Sequence, residues 1–75
     1  MLTKKTIADL HFMDARCKLI DLAAYLDRMD RHAGEDDERD LALRGALGIL
    51  MQERPDRAKA VLDALSDDTL SLIHI

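Results

Sequence analysis

The chain has one cysteine, one proline, three glycines, one tyrosine, one phenylalanine and no tryptophan in 75 residues. Each scarcity removes a class of protein. Cys17 has no second thiol to pair with, so the small domain cannot be stapled as disulfide-rich secreted scaffolds are. Two aromatics, Phe12 and Tyr25, are too few for a base-stacking platform. Basic excess is also missing. Eleven Lys and Arg face fifteen Asp and Glu, a net charge of −4, and Arg28, Arg31, Arg39 and Arg44 are interleaved with acids. Nucleic-acid binders present a basic face, so no nucleic-acid partner is expected.

Long apolar runs are absent too. Asp9, His11, Asp14 and Arg16 interrupt the N-terminal stretch, which therefore lacks the apolar segment of a signal peptide and the roughly 20 residues of a membrane span. The expectation is a reduced, cytoplasmic protein with no membrane partner. Gly-rich phosphate loops, nucleophile elbows, Cys-x-x-Cys pairs and His-Glu-x-x-His motifs do not occur. Whether the chain is an enzyme is therefore left uncertain, leaning towards no.

What remains is 48% hydrophobic and 35% charged residues, arranged with helical period. Phe12, Ala15, Leu19, Leu22, Leu26, Met29 and Ala33 recur at steps of three and four, the spacing of one side of an α-helix. Met13, Ile20, Ala23 and Ala24 are expected to widen this seam into a face covered by more than one partner helix. Thr6 and Asp9 fit a capping box, with Thr3 the alternative cap. Lys4 and Lys5 oppose the helix dipole and so are expected before the helix. Helix 1 is expected over about 7–32, stopped by Gly34.

The acids Glu35 to Glu38 suit a helix N-terminus; the functional alternative is an acidic dock for a basic partner, sensitive to salt. Helix 2 is expected over about 37–52, with Leu43, Ala46, Leu47 and Leu50 inward and Ala42 and Ile49 flanking. Gly45 and Gly48 each cost about 1 kcal/mol relative to Ala in a helix interior, which suggests close approach of another helix. Pro55 ends helix 2 and suits the first position of helix 3, expected over about 55–65 with Ala58, Val61, Leu62 and Leu65 on one face. The tail, 70–75, is apolar with a rough period of two, so Leu70, Leu72 and Ile73 are expected to dock.

The chain is thus expected to be all-α and a single small domain over 1–75, with a long N-terminal helix and two shorter helices folded back along it. A chain this short buries only about 60% of its unfolded surface, and a hairpin leaves one side of its apolar layer bare. Dimerisation into a helical bundle, or a larger homo-oligomer, would cover it.

The leading functional expectation is a non-catalytic interaction or accessory protein that self-associates and takes a possible protein partner. Its interface residues are Phe12, Leu19, Tyr25, Leu26, Met29, Leu70, Leu72 and Ile73. Tyr25 fits an interface edge and equally a tyrosine at the rim of a core. No cofactor is expected. The alternative is a bundle binding a small ligand or a divalent transition metal, through His11 and Asp14 and with His74 at a subunit interface. One turn separates His11 from Asp14, a usable two-ligand spacing, but two ligands are too few within one subunit. Cys17 is expected to be a buried small hydrophobe, and His32 a cap for the end of helix 1.

Overall fold

The computed structural model describes residues 2–66. Those residues are all-helical, with α1 at Lys4–Asp30, α2 at Glu38–Leu50 and α3 at Arg57–Leu65 and no strand among them. The chain divides into two units, Met1–Gly34 and Glu35–Ile75. Leu70, Leu72, Ile73 and His74, expected to dock or ligate, lie outside the described residues.

α1 begins three residues earlier than expected, and Lys4 and Lys5 lie inside its first turn. The reason is the cap. Thr3, extended at φ −112° and ψ 169°, accepts a 3.2 Å hydrogen bond from the Thr6 amide, and the two threonine hydroxyls lie 3.1 Å apart. A threonine cap contributes about 1 kcal/mol, against roughly 0.3 kcal/mol lost per exposed charge of the wrong sign. Lys5 also finds Asp9 one turn on, at 3.0 Å.

At its other end α1 stops at Asp30, short of the expected His32. Arg31 and His32 still donate their amides to the carbonyls of Asp27 and Met29, each at 3.2 Å. The His32 ring bonds the Arg28 carbonyl through Nδ1 at 2.7 Å, satisfying one of the terminal oxygens that the helix leaves open. Gly34, at φ +144°, then turns the chain through a conformation that strains any side chain.

α2 starts where the acidic run places it. The Asp37 carboxylate accepts from the Arg39 amide at 2.8 Å, and Glu38 and Asp40 supply negative charge to the first turn. α3 starts at Arg57, two residues after Pro55, and its N-cap, Asp56, makes no side-chain cap bond. Asp56 is held by Arg54 instead, with Nε to Oδ1 at 2.7 Å and Nη2 to Oδ2 at 3.3 Å. Arg54 also reaches the Gln52 side chain at 3.0 Å, and Arg57 donates to the Gln52 carbonyl at 2.7 Å. Charge-assisted bonds therefore satisfy this turn.

α2 and α3 pack on one another. Ala46 is the buried apolar residue of the described chain, and Leu43, Leu47, Ile49, Val61 and Leu65 are half-buried. Leu50, Ala58 and Leu62, expected inward, are exposed. The expected close approach at Gly45 and Gly48 is not there either. A Cβ at either position would meet nothing within 4 Å. Asp40, unremarked in the sequence, is buried at 8% exposure and accepts from Arg44 Nε at 2.9 Å. Burial of a carboxylate is tolerable with such a partner one turn away.

Candidate interaction surface

The surface that stands out is α1 itself. It runs for 27 residues, about 40 Å, and none of them is buried. Its apolar residues form two rows rather than one wide face, which corrects the expected grouping. The first row is Phe12, Ala15, Leu19, Leu22, Leu26 and Met29; the second is Leu10, Met13, Cys17, Ile20 and Ala24. At about 100° per residue, the two rows lie roughly 160° apart. Between them run charged edges: His11, Asp14, Lys18 and Asp21 on one side, Asp9, Arg16 and Asp27 on the other.

Exposure is highest towards the N-terminal part. Leu10, Phe12, Met13 and Leu19 are 61–65% exposed and Ile20 is 50% exposed. Leu22, Tyr25, Leu26 and Met29 are half-buried. Phe12, Leu19, Leu26 and Met29 of the expected interface therefore share the first row, while Tyr25 sits beside it. Cys17 is exposed in the second row, where a buried position was expected. The step from Leu10 to Met13 to Cys17 to Ile20 was readable as a second heptad; taking Met13 and Ile20 as a widening of the first row hid it.

The expected metal pair is near in sequence but differently engaged. His11 and Asp14 are both exposed, and the Asp14 carboxylate is ion-paired with Lys18. Among the described residues no group of three or more His, Cys, Asp or Glu is placed to hold a metal ion. No described helix is long and apolar enough to cross a membrane.

Electrostatic perturbation concentrates in the turns. Hydrogen bonds from the Arg39 guanidinium, then from the Arg39 amide, hold the Asp37 carboxyl well below the usual carboxylate range. The guanidinium bonds are 3.0 Å from Nε and 2.8 Å from Nη2. Arg54 lowers Asp56 in the same way, and Asp56 in turn raises Arg54. Each pair sits at or beside a helix start and uses residues two apart; Asp37 caps α2 through the Arg39 amide, whereas Asp56 makes no side-chain cap bond and is held by Arg54.

Comparison with protein-family models, with curated proteins and with solved structures finds no match to this chain.

Proposed function

We propose that this chain is a small, non-catalytic helical interaction protein that self-associates, as a dimer or larger assembly, through the apolar rows of α1. One observation carries the reading: large apolar side chains along one long helix, Leu10, Phe12, Met13, Leu19 and Ile20, are each at least half exposed. Isolated exposed leucines are ordinary, whereas contiguous apolar rows with charged edges are what helix partners bury. Fully burying one such side chain from water stabilises by about 1.5–3 kcal/mol, and the half or more of each that is still exposed is what association would bury. The proposed cover for these rows is a second copy of the chain.

Native mass spectrometry of untagged protein tests this reading. It predicts a multimer without an adduct, and loss of that multimer in a Phe12→Ser/Leu19→Ser variant. A bare monomer at all concentrations would contradict self-association. A mass increment matching a divalent metal, abolished by His11→Ala, would replace the reading with a ligand-binding one.

A further inference from the structure

We infer that two copies associate heterologously and in parallel, the second apolar row of one α1 lying on the first row of the next, offset by two residues. The inference rests on the self-association proposed above and specifies its geometry. The two rows each step by alternating threes and fours, so each can act as the core seam of a coiled coil. Aligning Leu10 of one copy with Phe12 of the second places Met13 on Ala15, Cys17 on Leu19 and Ile20 on Leu22. The layers from Leu10 on Phe12 to Ala24 on Leu26 are apolar, large residues repeatedly face smaller ones, and Asp27 on Met29 ends the seam.

The flanking charges choose this pairing. In a parallel pair, the residue just before one core position faces a residue five further along the other helix. With the two-residue offset, His11 of the second copy meets Asp14, Lys18 of the second copy meets Asp21, and Arg16 of the second copy meets Asp9. No like-charged pair is formed. Pairing either row with itself does worse. The second row in parallel sets Asp9 against Asp14. The first row in parallel brings Lys5 onto Lys5 at a core position. Antiparallel pairing about the centre of the second row, near Cys17, opposes Arg16 to Arg16, and about the centre of the first, between Leu19 and Leu22, it opposes Asp9 to Asp30. Like charges placed so closely select against those arrangements. All these edge residues are exposed on α1 and available to a second helix.

A heterologous contact uses a different surface on each copy, so it leaves one free row at each end and continues until a ring closes or a filament forms. That gives a test which an isologous dimer would not pass. Leu19→Asp blocks the first row and Ile20→Asp blocks the second; both positions are exposed, and circular dichroism checks that helicity is retained. The parent should form assemblies that grow with concentration. Each variant alone should be monomeric. A one-to-one mixture should give a heterodimer that grows no further, because one intact row remains on each partner. Charge reversal offers an independent second pair: Lys18→Glu and Asp21→Lys should each weaken association at least tenfold and restore it when mixed. A variant that still dimerises alone, or a mixture that stays monomeric while the parent assembles, would overturn the heterologous geometry and leave self-association standing. A parent that is monomeric throughout would overturn both.

Discussion

α1 and the α2–α3 pair solve the problem of being helical in opposite ways. α1 is long, capped by Thr3 and braced by pairs one turn apart, Lys5–Asp9 and Asp14–Lys18, yet none of its residues is buried. α2 and α3 have only 13 and 9 residues. Helices shorter than about 12–15 residues are marginal alone in water, so these two persist because they pack on one another around Ala46. Local interactions suffice to write a long helix, while burial is needed to keep short ones. The apolar rows of α1 therefore exceed what its helical state requires, and that surplus is the reason to read them as a surface for association.

The comparison is broken most severely by attacking burial where it exists. Ala46→Asp places an unpaired charge at a position only 3% exposed, which costs about 3–5 kcal/mol. Thermal unfolding should show α2 and α3 lost together. The same substitution at Ala15, on exposed α1, should leave helicity nearly unchanged. Arg44→Ala is the next largest change. It withdraws the guanidinium from buried Asp40 and should cost about 1–2 kcal/mol in chemical denaturation.

Gly45→Ala and Gly48→Ala act in the other direction. Open space surrounds both positions, so each substitution should stabilise by about 0.5–1 kcal/mol through lower chain entropy and better helix propensity. A loss of stability at either glycine would mean that another helix approaches it closely in the assembly, and would sharpen the map of the interface. Thr3→Ala is of similar size, about 1 kcal/mol, but confined to the first turn of α1, where it should be felt as fraying.

The pH dependence separates the units as well. The folded-state values of Asp37 and Asp56 are lowered by Arg39 and Arg54, so at mildly acid pH the unfolded chain binds more protons than the folded one. The stability they contribute is fully present above their ordinary carboxylate value and is lost as pH falls below about 4 towards the folded values. Asp37→Asn keeps an oxygen for the cap but loses the ion pair. Its melting temperature should therefore fall less steeply than the parent's between pH 4 and pH 2, to be checked by titrating α2–α3 unfolding.

Much of the helical layout was legible because its signals are local. Glu35 to Glu38 marked the start of α2, Pro55 the break before α3, and the three–four spacing from Phe12 the length of α1. The errors are equally particular. Lys4 and Lys5 were excluded from α1 because their charge opposes the dipole, but a Thr3 cap outweighs that. Gly45 and Gly48 suggested a helix contact, and the space beside them is open. Asp40–Arg44 has the same one-turn spacing as the exposed Asp14–Lys18 pair, so nothing in the pattern distinguished the buried pair from the solvated one. Burial is set by packing between elements that are distant in sequence, which periodicity does not report. The two rows of α1 were present in the spacing all along, and only the angular geometry of a continuous helix separates them.

Amide hydrogen exchange along α1, measured at low and high protein concentration, tests the central claim most directly. Association through the apolar rows predicts that exchange over residues 8–24 slows as concentration rises, while α2, at Glu38–Leu50, changes little. Exchange in α1 that does not depend on concentration, with the protein monomeric throughout, would contradict it.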